Sequence, residues 1–173
     1  MNKKPFYLII ILLGLVSINQ GQSIRNDSLI KAGKTYFSSR DFKKAYSVFE
    51  KVLTDAMAEN SDLYYYGIVS AVQCHKMDQG FIWLEDYINA SPAPQVSFYR
   101  LQYDLDQMYK DPRWSVALTK MQRKLQVYDR GKGYDLDLKN KLDDLFYMDQ
   151  KDRIRIAPYE KIYGDTSRQL VHL

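Results

Sequence analysis

Cys74 and His75 are the adjacent pair to which nucleophilic or metal chemistry would turn first. Neighbours in sequence point in different directions from a helix end or turn, so thiolate–imidazole geometry is not expected of them. Cys74 is the sole cysteine and His172 the only other histidine, so nothing completes a zinc-type ligand set. Several acids occur along the chain, but the sequence does not show any two of them converging in a dry cleft with separated pKa values, as acid–base catalysis requires. Gly131-Lys132-Gly133 has the glycines of a phosphate loop but follows a helical segment and lacks the rest of that fingerprint, so it reads as a linker. Asp149 and Arg153, four residues apart, meet on one helical face as an exposed ion pair. The chain is therefore read as a non-enzyme with no catalytic residue, no metal site and no cofactor.

The compartment is read from the first residues. Lys3 and Lys4 precede an uncharged apolar run from Phe6 to Ile18, the plan of a secretory leader. The run is shorter than the roughly 17 to 25 residues that span a bilayer, and polar Asn19, Gln20, Gln22 and Ser23 follow. Cleavage after Gly21 is expected, which makes the protein periplasmic or secreted; an uncleaved anchor is the alternative and the only membrane attachment expected. No cysteine near the junction offers a site for lipid attachment. Removing the leader takes two positive charges from the formal +4, and so weak a balance does not suggest nucleic acid. About 150 remaining residues fit one domain. A single thiol forms no internal disulfide, so packing must hold the fold. The 15 tyrosines supply large apolar bodies with polar tips for that packing or for an interface.

Internal periodicity then sets the architecture. Leu29, Ala32, Gly33 and Tyr36 are followed by Ala45 and Phe49. Leu63, Tyr66, Gly67 and Ser70 repeat the first half one period later, and Gly80, Leu84 and Pro92 the second half after one inserted residue. This spacing resembles the tetratricopeptide repeat. Small residues at 33, 45, 67 and 80 sit where two helices cross closely, and Tyr36, Phe49 and Leu84 fill the spaces beside them. Asp41 is placed to cap a helix whose apolar face holds Ala45, Phe49, Val52 and Leu53. Four helices are expected between Asp27 and Ala90, after which Ser91-Pro92-Ala93-Pro94 breaks the pattern.

Beyond the break, Phe98, Leu101, Leu105 and Met108 recur at helical spacing. Asp111-Pro112 reads as cap and first turn of a helix lined by Trp114, Ala117, Leu118, Met121 and Leu125, giving a third, degenerate hairpin. A last helix is expected from Asp135, carrying Leu138, Leu142, Leu145 and Phe146, and ending at Ala157-Pro158. The whole is all-α with about seven helices. It divides into a leader (1–21), a tetratricopeptide-like domain of two clear repeats and one degenerate repeat (22–130), a hinge (131–134), and a C-terminal helix and tail (135–173). The Asp149-Gln150-Lys151-Asp152-Arg153 patch resembles the opening of an uncharacterised domain that follows helical repeats in some exported bacterial proteins.

The resemblance to tetratricopeptide proteins implies a concave groove lined by the first helix of each hairpin. In this chain that register selects Ile30, Lys34 and Phe37, then Tyr64 and Ile68, then Tyr99 and Tyr103. The family's best-known peptide binders hold a terminal carboxylate with lysine and asparagine, whereas Ile30 and Lys34 stand here. A protein or peptide segment gripped by tyrosines is expected instead, the chain acting as a scaffold or adaptor. The alternative is a truncated regulatory or targeting portion of a larger protein whose following domain has unknown activity. The sequence leaves open whether the last helix fills the groove or caps the third hairpin through Leu138, Leu142 and Leu145.

Overall fold

A computed structural model of the chain describes residues 27–55 and 61–163, with side chains over 27–53 and 61–153. The expected leader lies outside these residues. Among the described residues the protein is all-α, without strands. Its helices are α1 (27–38), α2 (Phe42–Asp55), α3 (Ser61–Gln73), α4 (Met77–Ala90), α5 (Val96–Leu101), α6 (Asp106–Tyr109), α7 (Pro112–Gly131) and α8 (Leu136–Tyr163), with a 3-10 turn at Tyr103–Leu105. They form two compact units, one ending at His75 and the other beginning at Lys76.

In the first unit, α1 closes with paired bonds: the Arg40 amide donates to the Phe37 carbonyl and the Asp41 amide to Tyr36, both at 2.9 Å. This places Arg40 in the left-handed region, at φ 61°. Asp41 then caps α2, accepting from the Lys44 amide at 3.3 Å and from its ammonium at 2.7 Å. Those bonds from Lys44 hold the Asp41 carboxyl below its ordinary pKa. α2 buries Ala45, Tyr46, Phe49, Val52 and Leu53, one stripe at helical spacing, and packs along α3. The Phe49 ring comes so close to Gly33 that a Cβ there would lie 2.9 Å from its Cζ and 3.1 Å from Val48 Cγ1. The small residue expected at this crossing is therefore a steric requirement. Gly33→Ala gains up to about 1 kcal/mol of helix propensity but overpacks a contact whose ring is fully buried, so denaturant unfolding should show a net loss of about 1–2 kcal/mol.

Tyr46 lies on the same buried stripe and donates to Glu50 Oε1 at 2.6 Å. Burial, reinforced by that bond and the Glu50 charge, pushes its hydroxyl up to about 12. The folded state thus keeps this proton while the unfolded tyrosine, ordinary at 10, has lost it. Stability must fall as pH rises from about 10 to 12. Tyr46→Phe should reduce that slope, measured as midpoint denaturant concentration against pH beside the wild type.

In the second unit, α4 ends before the predicted Ser91–Pro94 break, and the Tyr87 hydroxyl accepts from the Gln95 amide at 2.8 Å across it. The first arm of the third hairpin, expected as one helix through Phe98 to Met108, is broken. Gln102 is extended, with ψ 109°, and α5, the 3-10 turn and α6 replace the single rod. The Tyr109 hydroxyl lies 2.7 Å from the Tyr99 carbonyl and 2.6 Å from the Gln102 carbonyl, supplying a donor where the helical ladder stops. Asp111 caps α7 as expected, accepting from the Arg113 amide at 2.9 Å.

Along α7, three basic residues meet α4 at nearly constant sequence offset. Arg113 pairs with Asp78 and Lys120 with Glu85, each at 2.7 Å. The Lys124 ammonium donates to the last-turn carbonyls of Ile88 and Asn89 at 2.6 and 2.7 Å. The separations are 35 or 36 residues, so α4 and α7 run parallel in register. α7 closes with Gly133 at φ 74°, the Gly133 amide donating to Arg130 at 3.0 Å and the Tyr134 amide to Asp129 at 3.2 Å. Residues 131–134 are thus a closed helix cap. Asp135 caps α8 through the Asp137 and Leu138 amides at 3.0 and 3.1 Å. Contrary to expectation α8 does not end at Pro158 but continues to Tyr163.

Candidate partner-binding surface

The seven groove residues separate into two groups. On α1, Ile30 and Lys34 line an open depression of about 690 Å³ with Asp27, Lys31, Thr35, Ser38 and Ser39. Residues 27, 30, 31, 34, 35 and 38 form one helical stripe, and the sequence register had selected only two of them; the missed residues are polar, so apolar periodicity carries no signal for them. Lys34 extends over the Tyr66 ring, 5.4 Å from its centroid. Phe37, half-buried, stands 4.8 Å from Tyr66, 5.6 Å from Phe42 and 6.1 Å from Tyr65 between ring centroids. An apolar side chain, a positioned ammonium and an aromatic cluster thus follow one another along the first unit.

Tyr64, Ile68 and Tyr99 are not groove residues. Tyr64 is 4% exposed and Ile68 and Tyr99 fully buried, so they offer no surface to a partner. α3 buries Leu63, Tyr64, Ile68, Val69, Ala71 and Val72, while Tyr65 and Tyr66, on its remaining side, are half-buried. Tyr99 packs on Tyr87 at 4.9 Å and Phe98 at 5.4 Å in the core of the second unit. Tyr103, on the 3-10 turn, is 41% exposed.

The last helix neither caps nor plugs by its leucines. Leu138, Leu142, Leu145, Phe146 and Met148 are 53–63% exposed. The inward side is polar: Lys139 pairs with buried Asp129 at 3.3 Å and with Asp143 at 2.7 Å, and Arg100 stacks on Tyr147, 3.9 Å from the ring centroid. Burial works against the Lys139 ammonium, but its hydrogen bonds to Asp143 and Asp129 outweigh it and hold the pKa above the ordinary lysine value. Arg100, Asp129, Lys139 and Asp143 border a depression of about 300 Å³ between α5, α7 and α8, where Lys139 is already engaged by the two carboxylates. Asp149 and Arg153 form the expected exposed pair, at 3.1 Å.

Cys74 is half-buried and His75, at φ 57°, closes α3. Among the described residues no three His, Cys, Asp or Glu side chains are grouped to hold a metal ion. No described helix is long and apolar enough to cross a membrane. Comparison with protein-family models, curated proteins and solved structures gave no match.

The division between core and surface has a direct consequence. Tyr99→Ala should destabilise the protein by about 3–5 kcal/mol, the range for emptying a buried aromatic site. Tyr103→Ala should stay within about 0.5 kcal/mol. Thermal unfolding followed by circular dichroism distinguishes the two.

Proposed function

We propose that this chain is an exported, tetratricopeptide-like scaffold that binds a protein segment along α1, with no cofactor. The observation that carries the reading is the open stripe of Ile30, Lys31 and Lys34, running toward Phe37 and its aromatic neighbours. A half-buried aromatic beside an apolar residue and two ammonium groups fits an extended or helical peptide with an apolar anchor and acidic flanks. The constant offset between contacting positions of α4 and α7 supports the repeat reading, since consecutive tetratricopeptide units place their second helices parallel about 34 residues apart. Export rests on the Lys3-Lys4 and Phe6–Ile18 pattern alone.

The test is selection from a displayed peptide library on the purified protein, followed by titration of selected peptides into an Ile30→Glu/Lys34→Glu variant. Peptides enriched in acids around an apolar anchor are expected, with affinity lost by at least about tenfold in the variant while its helicity and melting temperature match the parent. Binding that survives both substitutions, or no selected peptide at all, would count against the α1 surface.

A further inference from the structure

We propose that α8 is a detachable strap, held on α5 and α7 by a nearly balanced ion pair instead of by apolar burial. None of the residues from Leu136 to Arg153 is buried. The half-buried Leu136, Lys139, Asp143, Tyr147 and Gln150 form its inward stripe, whereas Leu138, Leu142, Leu145, Phe146 and Met148 face solvent. Over this length the helix therefore brings little apolar area to its contact, although such area is what normally docks a helix. The joint to α7 is free to turn: residues 131–134 are all exposed, and a Cβ at Gly131 or Gly133 would meet nothing within 4 Å.

Charge is what holds α8 in place. The Asp129 side chain on α7 is only 5% exposed, and the Lys139 ammonium stands 3.3 Å from it. Lys139 also pairs with Asp143 on its own helix at 2.7 Å, so it keeps a carboxylate whether α8 is docked or not. Asp129 depends on Lys139 while α8 covers it and regains water when α8 leaves. Docking thus exchanges the hydration of two ions for their mutual attraction, and these large opposing effects come close to cancelling. The Arg100 guanidinium over the Tyr147 ring, 3.9 Å from its centroid, adds only the modest attraction of a half-exposed cation–π contact. A closed state with so small a margin opens readily, and opening bares Arg100, Gln122, Gln126 and Asp129, which border the depression between the three helices.

Hydrogen exchange of the full chain, as purified from a bacterial host and followed by mass spectrometry, tests this. Amides of residues 140–153 should exchange at least about tenfold faster than those of α4 and α7, since a helix without neighbours frays. Lys139→Met keeps helix propensity but leaves Asp129 buried and unpaired in the docked state. It should speed exchange in α8 by at least about a further tenfold, with α4 and α7 unchanged. Asp129→Leu/Lys139→Met replaces the ion pair by apolar groups and should return α8 to the parent rate or below it. Exchange of α8 at the rate of α4 in the parent would overturn the proposal. So would a Lys139→Met variant in which α8 is unaffected or all three helices open together, or a double variant whose α8 stays faster than the parent's.

Discussion

Wherever a helix of this protein stops inside a packed unit, its orphaned backbone groups must find partners, and much of the second unit follows from how tyrosine meets that need. The Tyr87 hydroxyl takes the Gln95 amide after the proline break, and the Tyr109 hydroxyl serves the carbonyls freed where α5 ends. Buried peptide groups without partners cost far more than a satisfied bond returns. A phenol can carry its oxygen to such a break while its ring remains in the core. The abundance of tyrosine thus reflects internal needs as well as any partner, and Tyr99, which packs on Tyr87, belongs to this interior.

Charge then does for helix register what tyrosine does for helix ends. Arg113, Lys120 and Lys124 engage α4 through two carboxylates and two terminal carbonyls, all spaced as α4 and α7 must be if they run parallel. Each exposed ion pair is worth little alone, so stability comes mainly from Trp83, Leu84, Tyr87, Trp114, Ala117 and Met121, which these helices bury. The pairs add a charge preference for the same register that this packing adopts. On α8 the same kind of contact turns the polar side inward, and this is what exposes the leucines.

Local chemistry was well expressed in the chain. Asp41, Asp111 and Asp135 cap helices because an aspartate before an amphipathic run satisfies free amides whatever surrounds it. Ser91–Pro94 breaks the helical pattern because proline lacks the donor. Gly33 meets Phe49 because a small residue opposite a large one specifies a close crossing. The split at Gln102 was not visible, since the hydroxyl that meets its freed carbonyl belongs to Tyr109, seven residues on in a folded arrangement. Pro158 misled in the opposite sense, for one missing amide did not end α8.

The candidate surface was legible only in part. Periodicity determined that α1, α3, α5 and α8 carry particular stripes, and the first of these, through Ile30 and Lys34, lies open. Which stripe faces protein and which faces water was decided by tertiary structure alone. Tyr64, Ile68 and Tyr99 went inward because neighbouring helices cover them, while Leu138, Leu142 and Leu145 went outward because Lys139 and Tyr147 found partners on α7 and α5. A sequence fixes the angular position of a side chain on its own helix through the 3.6-residue turn. What stands opposite that side chain depends on contacts between segments far apart in the chain, and no local period encodes them.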